Sequence, residues 1–254
     1  MFDEPFAQGP SPIHGLDPRV RLAAAGGGAC CLAVTHAPEA ACAGLALSAA
    51  LLACSLPPPG PLVRRWAVVN LFILFLWTTV PWSVPGASLW SAYGLSVSRE
   101  GLELCLLVTL KSNAILFLFV ALAASMPSPT AGCALARLGM PAKLVFLFLF
   151  TYRYLHVIAD EWQRMRTAAL LRGFRPRTDM HTYRTLGYML GMVLVRSYER
   201  ARHIYEAMLL RGFHGRFYTV VRFRTRPRDA LFALAMLCGL AAILILDHRE
   251  LFHV

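Results

Sequence analysis

Long apolar runs at 22–36, 40–56, 66–80, 102–125 and 230–246 alternate with short polar or proline-rich breaks. Runs of this kind read as helices that cross a bilayer, for which ~20 mostly apolar residues are needed. Pro38-Glu39 separates the first two runs. Pro57-Pro58-Pro59-Gly60-Pro61 is a rigid turn that no helix continues through. Between Trp77 and Tyr93 lies a proline-punctuated stretch without charge, whose Trp77, Trp82, Trp90 and Tyr93 predict an interfacial aromatic belt on the outer side. Met126-Pro127-Ser128-Pro129 ends the fourth run. Within the first, Gly26-Gly27-Gly28 is expected to admit a neighbouring helix closely.

Two further apolar stretches do not fit as crossings. With the N-terminus inside, four spans return the chain to the cytoplasm by residue 126, and a span at 144–158 would put the following basic segment outside. The pattern instead predicts a helix over 142–172 that starts within or along the membrane and runs out into the cytoplasm. The run 186–195 is too short to cross and suits the buried face of a helix over about 180–211. The expected fold is an all-α membrane protein with about five transmembrane helices and a cytoplasmic hub of amphipathic helices. Its parts are a four-span membrane region at 1–125, the hub at 126–228, and a final transmembrane helix with a short outer tail at 229–254. Residues 1–18 read as an irregular or interfacial lead-in without a secretory leader: Asp3, Glu4 and four prolines stand where a leader has a basic start and an apolar core.

Composition agrees. The chain has 254 residues, 57% hydrophobic and 15% charged, against roughly a quarter charged in a soluble domain. Charge is concentrated. Residues 153–228 hold 16 of the 25 Lys and Arg, all Arg, and 5 of the 14 Asp and Glu, so the formal net charge of +11 falls entirely in this segment. The positive-inside rule puts it in the cytoplasm, with Arg64, Arg65, Arg137 and Lys143 on the same side. Basic segments also suit nucleic acid or anionic lipid, but topology control explains this one more simply. The lipid bilayer is an expected partner and nucleic acid is not. The seven cysteines lie mostly inside apolar stretches without a C-x-x-C pair, which suits small packing residues rather than a disulfide framework.

One heptapeptide occurs twice. Ala168-Ala169-Leu170-Leu171-Arg172-Gly173-Phe174 returns as Ala207-Met208-Leu209-Leu210-Arg211-Gly212-Phe213. Each copy reads as a helix end: apolar residues, an Arg in the last turn, then a Gly suited to the left-handed position just past the helix. An Arg there interacts favourably with the helix dipole, by ~0.3–1 kcal/mol. That accounts for one copy cheaply but not for the repetition, and the planar Arg fork also suits a carboxylate on a partner. Arg172, Gly173, Arg211 and Gly212 are the candidate docking residues.

Lys111 lies near the middle of the fourth span, on the same helix face as Glu103. A charge at that depth costs ~2.5–3.5 kcal/mol on insertion scales, so it should face protein or water. It either contacts a partner membrane subunit or a transport path, or forms an internal ion pair that fixes packing. His14 and His156 are isolated. The chain has no G-x-x-x-x-G-K-[ST] phosphate loop, H-E-x-x-H, or clustered His/Cys set. No catalytic residue, metal ligand set or cofactor is expected.

The paired Leu171-Arg172-Gly173 and Leu210-Arg211-Gly212 resemble the twin Ala-Arg-Gly-type motifs of the transmembrane T component of energy-coupling factor transporters. The segment Ser11-Pro-Ile-His14-Gly-Leu-Asp17-Pro18-Arg19-Val-Arg21-Leu22 resembles the start of the cobalt-type members, called CbiQ. Tyr152-Arg153-Tyr154, followed by Asp160-Glu161 and the first Arg-Gly tip, fits the same pattern. The likeness extends from residue 11 to about 246. Leu replaces the family's usual Ala before each Arg, expected to be a modest packing change. The resemblance implies a non-catalytic coupler in the cell inner membrane. Arg172 and Arg211 would dock in two cytoplasmic ATP-binding ATPase subunits, and a separate membrane subunit, for which Lys111 is the candidate contact, would bind the substrate. It implies cobalt ion as cargo, with nickel or a vitamin as alternatives. A membrane enzyme or a basic membrane anchor is the reading outside this class.

Overall fold

Proline starts four of the long helices. Pro18, Pro38, Pro59 and Pro227 stand at the first position of α1 (Pro18–Val34), α2 (Pro38–Ser55), α3 (Pro59–Ser83) and α8 (Pro227–Leu251), where the ring costs no hydrogen bond and its fixed φ is already helical. The remaining helices are α4 (Arg99–Leu122), α5 (Ser128–Arg137), α6 (Ala142–Leu171) and α7 (Met180–Leu210). The structure, a computed structural model, describes residues 6, 11–85, 88–92, 95–213 and 225–251. Contacts divide the chain into two units: α6 and α7 make one, and all the other helices make the other.

In the larger unit α4 is central, packing on α1, α2 and α3. α8 lies against α1 and α2, and α5 against α1. The core joins small and large residues: Ala25, Ala40, Ala114 and Ala121 with Leu32, Leu118, Leu122, Met236 and Ile243. Small residues let the helix backbones approach, which is how helices associate in lipid. Of the expected glycine trio, Gly28 alone serves this purpose. A Cβ there would stand 2.7 Å from Leu118 Cδ2 and 3.1 Å from Met236 Cε, whereas nothing lies within 4 Å of a Cβ at Gly26 or Gly27. Cys105 and Cys133 are buried, but Cys30, Cys42, Cys54 and Cys238 are exposed, so packing accounts for only part of the cysteine set.

Polar contacts join α3 and α4. Asn70 and Asn113 exchange amide bonds of 3.1 and 3.3 Å, and the Trp77 indole donates to Thr109 Oγ1 at 3.0 Å. Such bonds inside a bilayer average ~0.6 kcal/mol each.

Three ties fix α1 and α8. Asp17 caps α1 by accepting from Arg19 N at 2.9 Å, and its own N–H donates to Asp229 Oδ1, near the start of α8, at 2.9 Å. At the other end of α8, Asp247 Oδ1 accepts from His36 N at 2.7 Å and Ala37 N at 2.8 Å, just past the end of α1. Start is bound to start and end to end, so the two helices run parallel. Arg21, buried in the first turns of α1, donates to Ser125 just past the end of α4.

Among the described residues five helices, α2, α3, α4, α6 and Pro227–His248 of α8, are long and apolar enough to cross a membrane. α1, expected as a crossing, has 17 residues and is about 26 Å long. Large apolar side chains such as Val68, Leu71, Phe72 and Phe75 on α3 point outward, as lipid exposure requires.

Two expectations change. The stretch between Trp77 and Tyr93 is not a loop throughout. α3 continues to Ser83, and Ser88–Ala92 (β1) pairs antiparallel with Leu95–Ser98 (β2), Trp90 opposite Val97 and Ala92 opposite Leu95. Tyr93 and the side chain of Trp90 lie outside the described residues. The outer tail is also shorter, because α8 runs on to Leu251 and Asp247 belongs to the helix.

Candidate functional site: two matching helix tips

α6 and α7 end alike. Arg172 closes α6 with φ −84° and ψ 10°, and Arg211 closes α7 with φ −87° and ψ 10°. Gly173 and Gly212 then take φ +85° and +77°, the left-handed region where a Cβ crowds the following carbonyl. Gly173 N–H donates to Leu170 O at 3.0 Å and Phe174 N–H to Ala169 O at 3.1 Å. Gly212 N–H donates to Leu209 O at 2.9 Å and Phe213 N–H to Met208 O at 3.0 Å. Both are Schellman caps, each satisfying two carbonyls of the last turn. An alanine at either glycine is expected to cost about 1–2 kcal/mol. Thermal unfolding of Gly173→Ala and Gly212→Ala should show two similar, separate losses, and unchanged midpoints would contradict the cap geometry.

Capping explains the Gly and the Phe, but not what the tips present. Arg172 and Arg211 are exposed, and neither guanidinium has an ion pair or hydrogen bond among the described residues. The preceding Leu171 and Leu210 are 84% and 91% exposed. The Leu expected to alter packing therefore alters the outer surface of each tip instead, since the chain turns away at the glycine and leaves the side chain unsupported.

Glu161 of α6 pairs with Arg196 of α7 and joins the two helices. Arg172 lies eleven residues beyond this point and Arg211 fifteen, about 16 and 22 Å along their helices. The tips are thus separate outposts of one unit, no more than about 40 Å apart. The start of α7 is capped by Asp179, whose Oδ1 accepts from Thr182 N at 2.8 Å. Hydrogen bonding to Thr182 holds the Asp179 carboxyl below the usual carboxylate range. A depressed folded value means the cap contributes fully above the unfolded pKa and is lost as pH falls through the folded one. Amide exchange at Thr182, relative to its intrinsic rate, should therefore accelerate below about pH 4. Asp179→Ala should accelerate it at every pH and Asp179→Asn much less. Exchange at Thr182 that does not change with pH would contradict this account.

Lys111 does not pair with Glu103. The shared face leaves the two about 12 Å apart along α4, and Glu103 accepts from Arg99, four residues before it, at 2.9 Å. Lys111 Nζ instead donates to Ala33 O at 3.1 Å. Its charge sits at the negative end of α1, whose last turn contains that carbonyl. The internal partner is thus a helix end on another span rather than a carboxylate on its own.

His14 uses both ring nitrogens, with Ser11 Oγ at 2.5 Å and Phe6 O at 3.1 Å. His156 meets the Tyr152 ring edge-on at 5.6 Å. Among the described residues no three His, Cys, Asp or Glu side chains are grouped to hold a metal ion. Sequence reasoning missed Asp229 and Asp247, although a carboxylate at each end of the final apolar run is the available signal.

Residues 9–219, which include both tips, match the family of the cobalt transport protein CbiQ. The cobalt transport protein CbiQ of Rhodobacter capsulatus is 24% identical over 187 residues, covering 72% of either chain. An uncharacterized protein of Methanocaldococcus jannaschii is 26% identical over 152 residues, covering 59% of this chain and 55% of that one. The nickel permease LarQ of Lactiplantibacillus plantarum is 31% identical over 97 residues, covering 38% of this chain and 35% of that one. With helices long and apolar enough to cross a bilayer, the chain is a multi-pass membrane protein that belongs to the CbiQ family of cobalt transport proteins.

Proposed function

We propose that the chain is the T component of an energy-coupling factor importer, a non-catalytic coupler between ATPase motion and a separate substrate-binding membrane subunit. The observation that carries this reading is the pair of matching tips, each presenting an Arg without a partner among the described residues. Two cytoplasmic ATPase subunits would each seat one tip, with a carboxylate facing Arg172 or Arg211. ATP hydrolysis belongs to those subunits. Lys111 uses one of its three N–H donors on Ala33 and is the candidate contact for the substrate-binding subunit.

Topology supports this arrangement. Because α1 and α8 run parallel, the number of crossings from the start of α1 to the start of α8 must be even. α1, α2, α3 and α4 supply four. A full crossing by α6, which is also long and apolar enough to cross, would make five, so this reading keeps α6 starting within or along the membrane. The same choice leaves Arg64, Arg65, Arg137, Lys143 and the Arg-rich segment on one side, which the positive-inside rule makes the cytoplasm. Both tips then face the cytoplasm of an inner membrane, where ATP is available.

Cobalt ion is the proposed cargo, from the family match. Nickel is the second reading, favoured by the likeness to a nickel permease. Uptake of radiolabelled cobalt by cells expressing this chain with its partner subunits, with and without competing nickel, tests both. Uptake that stops when this chain alone is omitted supports the proposal. Uptake that persists without it contradicts the coupling role, and uptake abolished by equimolar nickel reassigns the cargo.

A further inference from the structure

Among the described residues, the two most exposed large apolar side chains occupy the same position in both tips: Leu210 at 91% and Leu171 at 84%. A single exposed leucine is ordinary. The same leucine left bare twice, each time beside an Arg without a partner among the described residues, is a repeated surface. The two side chains of each tip are neighbours around one helix end, about 100° apart, so whatever receives the Arg also meets the Leu.

We infer that each tip is a two-part plug, in which Leu171 or Leu210 fills an apolar pit while Arg172 or Arg211 pairs with a carboxylate beside that pit. This rests on the docking reading and adds the chemistry of the receiving surface: an ATPase groove with an acidic residue next to a leucine-sized apolar hollow. The Arg sets orientation and is weakened by salt. The Leu contributes a salt-insensitive part and sets which ATPase fits, because a groove without the hollow excludes its bulk.

The test uses this 254-residue chain and a purified candidate ATPase subunit, with binding measured at low and high salt. Leu171→Asn with Leu210→Asn keeps side-chain size and removes the apolar surface. Binding should weaken about tenfold or more for each tip, by a similar factor at both salt levels. Leu171→Met with Leu210→Met should stay within about threefold of wild type. Both positions are bare in the structure, so neither pair disturbs packing.

Wild-type binding by the asparagine pair would overturn the plug. If Arg172→Glu with Arg211→Glu abolishes binding in that same experiment, docking stands and only the plug is lost. If the charge-reversed pair also binds normally, docking fails with it. Lipid is the other surface that would take bare leucines. The readout is protection of Leu171→Cys and Leu210→Cys from an aqueous maleimide, in a background with the native cysteines replaced and vesicles without ATPase. Protection there would assign the leucines to the bilayer and overturn the plug, whereas protection appearing only when the ATPase is added supports it.

Discussion

Reversing both tip charges, Arg172→Glu with Arg211→Glu, is expected to abolish co-purification of the ATPase subunit and substrate uptake while leaving the protein inserted and folded. Neither guanidinium has an internal partner among the described residues, so the fold does not depend on them. At a docked interface each reversal removes a charge-assisted bond and sets carboxylate against carboxylate. Breaking one buried, hydrogen-bonded charge pair costs about 2–5 kcal/mol. Two tips on one unit act together, so the double variant should lose at least about a thousandfold in affinity and each single variant much less. Arg166→Glu with Arg200→Glu changes the net charge equally on exposed arginines six and eleven residues before Arg172 and Arg211 and should bind nearly as wild type. Equal losses from both pairs would mean that total charge matters and position does not, which is the behaviour of a basic membrane anchor.

Asp247→Ala is expected to give the largest loss of stability from a single substitution at a helix end. Its Oδ1 holds the N–H groups of His36 and Ala37, and both Asp247 and Ala37 are buried. Ala37, the N-cap of α2, supplies no side-chain cap of its own, so the carboxylate caps α2 from another helix and also faces the positive end of its dipole. Without it two donors lose their partner, for about 2–6 kcal/mol in all. Asp247→Asn keeps an acceptor oxygen at the same place and should recover most of the loss. Thermal unfolding of detergent-solubilised protein reads this directly. An alanine variant as stable as wild type would sink the tie and, with it, the parallel placement of α1 and α8.

Features encoded by neighbouring residues were legible in the sequence. Apolar length marks α1 to α4 and α8, prolines mark the starts of all of these but α4, and the Leu-Leu-Arg-Gly-Phe repeat marks two helix ends whose glycines are left-handed in the structure. The hairpin at 88–98 was not, because a few alternating residues in an uncharged stretch look the same as an interfacial loop. Contacts between distant residues were also hidden. Asp17 meets Asp229 and Asp247 meets His36 across some two hundred residues, and no local pattern names such partners. Lys111 shows how face-sharing misleads: Glu103 lies on the same face, yet a carbonyl on another helix is within reach and the carboxylate is not. At the tips the sequence supplied the leucines, and only the backbone turn at Gly173 and Gly212 revealed that they are bare.

Site-specific photocrosslinking from each tip tests the central claim most directly. Ala168 and Ala207 are exposed, one turn before Arg172 and Arg211, and tolerate a photoreactive side chain without touching the cap. With all subunits present in membranes, each position should give an adduct with an ATPase subunit whose yield changes when ATP is added. Adducts only with lipid or with the substrate-binding subunit, from both positions, would contradict docking and return the twin motif to helix capping.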